Sequence, residues 1–431
     1  MMNKCFNLLQ LVLIIFCQAC FEDLGSFIPV HPSPPPTGIP TNVGEPVGEP
    51  VTQEVGPEGG TISWADGKFR LVFPQGALRN STTITVQPIS HTLDLALGTA
   101  FDFGPNGLNF QKPVEFYYQY TDEDLLGTSP EFVHIAFQDE KNIWQSMRKV
   151  EVNRANKTLK ANLTHFSKWS FFASAMIRPG QKTLNVKQSV ELEIVGYEYE
   201  LSLKTDPKYW GLLSPLVPPS PIQNRLVKEW LIDGKNSGVQ PDKGVIGSIN
   251  NDLTKAQYTA PPSVPFNENV TISAELNLGK GKFLLLSTIT IQSNNNYSVG
   301  PYSFSNVEVI IGRAADILTI NMMKPNAAGY ESSLAFLIPN FTGVGNYPFS
   351  LDLTGSIEII GEDRSFSSIA YDANLNPFFN GKIQITESSN QAGGNIAGTM
   401  SGTLYEAVEK DGKTSYTPYP FQASFSSVFS F

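Results

Sequence analysis

The chain has 431 residues, enough for about three domains of ordinary size and too many for one small β-domain. Its formal net charge of -10, with no Lys/Arg cluster, argues against a nucleic-acid partner, because phosphate binding needs a basic footprint. Hydrophobic residues at 41% leave ample core material, while 16% charge, 35 Gly and 31 Pro fit a secreted all-β protein better than a helical cytosolic one.

Residues 1–19 read as an export signal, with Lys4 in the positive region and Leu8 to Phe16 as a short apolar core. That core is too short to span a bilayer. The following Cys17-Gln-Ala-Cys20 resembles a bacterial lipobox, with Cys17 where an aliphatic residue is usual. The resemblance implies cleavage before Cys20 and lipidation of that cysteine. The alternative is an ordinary secretory peptide in which Cys20 is incidental. The chain has 3 Cys, and the other two, Cys5 and Cys17, lie inside the signal. A mature chain lipidated at Cys20 therefore has no disulfide and no thiolate metal site, and depends on its cores. Several acyl chains on Cys20 would hold it at a membrane.

Residues 20–54 are expected to form the lipidated cysteine and a tether. His31-Pro-Ser-Pro-Pro-Pro and the near-repeat Val43-Gly-Glu-Pro-Val-Gly-Glu-Pro-Val51 favour an extended spacer over a core. Glu22 and Asp23 resemble the acidic signal that directs lipoproteins of the Bacteroidetes type to the cell exterior; read plainly, they are two solvated charges.

Over residues 55–173, alternation marks successive strands, as in Thr83 and Thr85 against Ile84 and Val86. Asp139-Glu-Lys-Asn142 and Asn153-Arg-Ala-Asn156 supply turn chemistry between them. Four stretches stand in order: Gly59-Gly60-Thr-Ile-Ser-Trp64, Phe73-Pro-Gln-Gly-Ala-Leu78, Pro105-Asn-Gly-Leu-Asn-Phe-Gln-Lys-Pro-Val114 and His165-Phe166-Ser167. Together they resemble the ZU-five domain shared by zonula occludens proteins, netrin receptors and ankyrins, over a little over a quarter of the chain. The resemblance implies a β-sandwich. It also implies a chemical possibility, because in some members His-Phe-Ser cleaves itself between Phe and Ser. Ser167 would attack the Phe166 carbonyl by an N-to-O shift while His165 removes the proton, given local strain. Otherwise the triplet simply builds the closing strand, with Phe166 in the core.

Residues 174–296 are similar to bacterial immunoglobulin-like domains, with Glu229-Trp230-Leu-Ile-Asp-Gly234 and Tyr258-Thr-Ala-Pro261 as the matching stretches. A Trp buried between sheets, without a disulfide, suits such a sandwich. The Pro-rich Leu213 to Pro221 is expected to be a surface loop. Residues 297–431 alternate as a β-meander, in an open sandwich or small barrel, with Gly381-Lys-Ile-Gln-Ile-Thr386 and Gly394-Asn-Ile-Ala-Gly-Thr399 among its strands. The fold expected is thus all-β: three tandem antiparallel β-sandwich or barrel-like domains after a signal peptide and Pro-rich tether.

No nucleophile elbow, phosphate loop or His-Glu-x-x-His occurs. Asp122-Glu-Asp124 reads as a solvated acidic turn without the spacing of a calcium loop, so no metal site and no cofactor is expected. Of the five Trp, Trp210 beside the Pro-rich segment is the candidate for ligand stacking; Trp64, Trp144, Trp169 and Trp230 read as core. The expectation is a lipid-anchored outer-membrane or surface lipoprotein serving as a binding or adhesion scaffold, with a glycan or protein as ligand. The alternative is a self-cleaving protein whose halves stay together.

Overall fold

The structure is a computed structural model describing residues 36–64, 67–203, 212–236, 239–279, 281–389, 391 and 393–430. The expected signal segment 1–19, Cys20, Trp210 and residues 21–35 of the expected tether lie outside the described residues. Strands make up 61% of the chain and helix 4%, so the all-β expectation holds.

The first unit faces a seven-stranded sheet with a five-stranded one. In Thr82–Ile89 the alternation turns Ile84 and Val86 inward, while Thr83 stays exposed. Phe69, Phe103, Phe116 and Phe171 fill the space between the sheets, with Phe103 edge-on to Phe116 at 5.5 Å. Gly59 carries a φ of +83°, and a Cβ there would meet the Phe73 carbonyl oxygen at 2.3 Å. Only glycine lets the first hairpin close on the Pro74 turn.

The described part of the expected tether is docked on the first unit. Val51–Val55 is already a strand, paired antiparallel with Thr82–Ile89. Upstream, the Thr41 N–H donates to the Asn142 carbonyl at 2.9 Å and the Val47 N–H to the Pro88 carbonyl at 2.8 Å. Gln138 Nε2 donates to the carbonyls of Thr41 and Asn42 at 3.1 and 3.2 Å. Val-Gly-Glu-Pro repeats give no core pattern, but their backbone groups still bond to an open sheet edge.

The second unit packs a six-stranded sheet on a four-stranded one. Trp230 is buried between them, and its Nε1–H donates to the Leu253 carbonyl at 2.8 Å. The Pro-rich segment, expected as a surface loop, also pairs with two sheet edges. Ser214–Pro215 pairs with Trp144–Met147 at the edge of the first unit's seven-stranded sheet. Ser220–Pro221 pairs with Ser189–Gly196 in the second. Proline is tolerated on such edges because a missing N–H costs nothing there. Leu216 then bonds to the Trp144 carbonyl at 2.8 Å and enters the first core. A loop of the second unit therefore completes the sheet and core of the first.

In the third unit seven strands close into a ring: Glu308–Ala314, Ile317–Asn326, Gly329–Ile338, Gly355–Ile359, Arg364–Ser367, Asn395–Lys410 and Lys413–Ser430. The pairing of Asn395–Lys410 with Lys413–Ser430 completes the circuit. Side chains fill the middle. Phe336 stacks on Phe349 at 5.2 Å and on Phe421 at 5.7 Å, and Ile320, Phe366, Met400 and Leu404 are buried around them. A small barrel of this size closes around side chains.

A chain beginning at residue 56 is expected to unfold at lower urea concentration than one beginning at residue 36. Loss of the Val51–Val55 strand and of the Gln138 amide's partners costs at least about 2 kcal/mol. Coincident urea transitions for the two chains would show that residues 36–55 are a tether after all.

Candidate functional site

His165-Phe166-Ser167 is the place where the chain leaves one sheet for the other. Thr158–His165 belongs to the five-stranded sheet and Lys168–Ala173 to the seven-stranded one. Phe166 is fully buried at the crossing, 4.9 Å from the Phe110 ring, 5.3 Å from Phe103 and 6.1 Å from Phe73. Three of the four motif stretches thus meet around one phenyl ring. The fourth joins them through Gly59, which abuts Phe73.

The polar groups of the triplet have partners that do not include one another. Ser167 Oγ donates to the Gln138 carbonyl at 2.5 Å. His165 stands edge-on to Phe137 at 4.6 Å and lies 5.5 Å from Trp169, with Nδ1 3.4 Å from Thr164 Oγ1. Burial holds its imidazole below the usual value, which favours the neutral form. The Phe166 N–H donates to the Leu108 carbonyl at 2.9 Å, and the Phe166 carbonyl accepts from the Gly107 N–H at 3.0 Å. All three residues line a cleft of about 390 Å³ with Asn106, Asn109 and Asp139. Positive φ angles among the described residues fall elsewhere than on these three. The cleft holds a neutral base and a polarised carbonyl, but the hydroxyl is bonded away from both.

A second polar cluster escaped the sequence. The six-residue helix Glu198–Leu203 brings Glu200 against the first unit, where only 1% of its surface is exposed. Its carboxylate accepts from Arg148 Nη2 at 2.8 Å, from Ser146 Oγ at 2.7 Å and from Ser214 Oγ, with His134 Nδ1 at 3.3 Å. Arg148 also donates to the Leu212 carbonyl at 2.8 Å. Burial alone would push the Glu200 pKa up. The hydrogen bond and charge of His134, with the Arg148 charge, outweigh it and hold the carboxyl below its ordinary value. Three of its partners lie more than fifty residues earlier and Ser214 lies in the Pro-rich segment that follows, so no local spacing could reveal them.

The remaining expectations land as follows. Trp144, Trp169 and Trp230 are buried, and Trp64 is half-buried against Phe69 at 5.7 Å. Asp122 pairs with Lys157 at 2.8 Å, and Asp124 accepts from the Thr121 N–H at 2.8 Å. No protein-family model matches the sequence, and no curated protein matches it either. Among solved structures, extracellular domains 3–5 of Drosophila OTK align with 73% of this chain and 91% of theirs, at 8% identity and a TM-score of 0.15. A likeness at that level carries no argument about fold or function.

Replacing Glu200 by Gln leaves Arg148 buried without its counter-charge and is expected to cost about 3–5 kcal/mol in urea unfolding at pH 7. Because the folded pKa is lowered, this stabilisation is complete well above the ordinary glutamate value of about 4.3 and fades as pH falls from there through the folded value. A difference that persists unchanged to pH 2 would show that the carboxylate charge is not its source.

For the triplet, denatured wild-type protein is expected to give one full-length mass. Ser167→Ala is expected to give the same mass and lose about 1 kcal/mol with the bond to Gln138. A pair of fragments divided between Phe166 and Ser167, absent from Ser167→Ala, would overturn the structural role.

Proposed function

We propose that this chain is a lipid-anchored cell-envelope lipoprotein, displayed at an outer membrane or cell surface, that serves as a non-enzymatic binding scaffold. One observation carries the reading: His165, Phe166 and Ser167 are each engaged in packing or in bonds to groups outside the triplet. The joined first and second units support it, because a binding surface is presented best by units that do not shift against one another. The anchor rests on the apolar Leu8 to Phe16 followed by Ala19-Cys20. The first unit is read as ZU-five-like on its four motif stretches, and the second as immunoglobulin-like on Trp230 and Tyr258.

Self-cleavage between Phe166 and Ser167 is a second reading, and it draws on one contact. The Gly107 N–H donates to the carbonyl that such a reaction would attack. The mass of the denatured chain decides between the two.

Fed a fatty-acid analogue, cells making the protein are expected to label it, and Cys20→Ala is expected to abolish the label and move the protein from the membrane to the soluble fraction. Label retained by Cys20→Ala would remove the anchor from this proposal.

A further inference from the structure

A straight row of side chains crosses the outer face of the five-stranded sheet. Arg70 lies opposite Tyr117, Tyr117 opposite Lys160, and Lys160 opposite Glu151 in the strand register. Together with Asn153, Asn156 and Thr158 from the adjoining hairpin, the row lines a groove of about 670 Å³. Apart from Val152 and the Tyr117 ring, its lining side chains end in polar groups. Nothing in it resembles a slot for a lipid chain or an apolar peptide.

The cations of this groove differ in how closely they are compensated: Lys160 lies between Glu115 and Glu151, the latter 3.9 Å away. Glu115 accepts from Lys160 at 2.8 Å and from the Tyr117 hydroxyl at 2.9 Å, so its carboxylate is engaged. The Lys160 hydrogen bond is the main reason that carboxyl lies below its usual range. Arg154, at the rim, pairs with Glu131. Arg70 is exposed and forms no ion pair among the described residues. Its guanidinium sits over the Tyr117 ring, 4.4 Å from the centroid. Cation–π contact fixes that group in place, and Lys160 adds a second cation 5.7 Å from the same ring. With Glu151 counted, the groove's three cations are matched by three carboxylates, and Arg70 is the cation whose guanidinium stays open to a bound anion.

We propose that this groove binds a short acidic glycan, a carboxylated or sulfated oligosaccharide, with Arg70 as the anion contact. The inference rests on the scaffold reading above and gives that scaffold a ligand. A guanidinium offers paired N–H donors that match a carboxylate or sulfate edge, which an ammonium cannot do. Asn153, Asn156 and Thr158 provide neutral donors and acceptors suited to sugar hydroxyls. A groove open along the sheet accommodates several linked sugars lying across it.

The test uses the full chain in calorimetric titrations with trigalacturonate, a heparin-derived tetrasaccharide and maltotetraose. Either or both of the acidic sugars are expected to bind, which distinguishes carboxylate from sulfate as the preferred group, and maltotetraose is expected not to. Arg70→Gln is expected to weaken acidic-sugar binding about ten-fold or more, and raised salt to weaken it further. Arg70 is exposed, so an unchanged melting temperature for this variant separates lost binding from lost fold. Arg70→Lys is expected to recover only part of the affinity. Equal binding of maltotetraose, binding unaltered by Arg70→Gln, or no binding of either acidic sugar would overturn the proposal. The first two of these outcomes would leave a binding scaffold with a different site. A phosphopeptide bound through Arg70 in place of both acidic sugars would likewise overturn the glycan assignment.

Discussion

A carboxylate removed from water must find its counter-charge and hydrogen-bond donors in the protein, or it will not stay ionised there. Glu200 meets that demand by drawing on two units at once. Arg148, His134 and Ser146 come from the first sandwich, while Ser214 comes from the Pro-rich segment of the second. The same contacts place Ser214–Pro215 on the open edge of the first sheet and carry Leu216 into its core. The junction therefore holds its two partners in one geometry. A hydrophobic contact of similar area would tolerate sliding, whereas a network with fixed donors and acceptors does not.

The crossing at His165-Phe166-Ser167 meets a different demand. A chain passing between two packed sheets must fill the gap it bridges and satisfy its backbone where no ladder runs. Phe166 fills it, and Leu108, Gly107 and Phe103 supply the backbone partners. The residue types that could perform acyl chemistry are also those that suit a crossover. A short hydroxyl caps a carbonyl, an aromatic plugs the core, and an imidazole rests on rings at the margin.

What could be read from the sequence follows from where each signal is stored. The period of two in Thr82–Ile89 is written in side chains, so the strand and its buried face were legible. Trp230 could be placed between sheets because an aromatic of that size has few other homes. Residues 41–47 were misread because their docking uses backbone groups, which every sequence possesses alike. The edge pairing of Leu213 to Pro221 was hidden for the same reason, since prolines suit a surface loop and a sheet edge alike. Glu200 was invisible because its partners meet it only in three dimensions. The row of Arg70, Tyr117 and Lys160 was hidden likewise, since neighbours in a sheet are separated by whole strands in the chain.

The barrel's last long strand, Lys413–Ser430, pairs with Asn296–Val299, with Glu308–Ala314 and with Asn395–Lys410. Contacts that span more than a hundred residues are formed late, because loop closure must precede their reward. As the chain emerges N-terminus first, the two sandwiches can therefore mature while the third unit still lacks the strand that shuts it. Until that strand arrives, the edges of Asn395–Lys410 and Glu308–Ala314 remain open to any passing strand, and a chaperone that shields them would matter most at that stage.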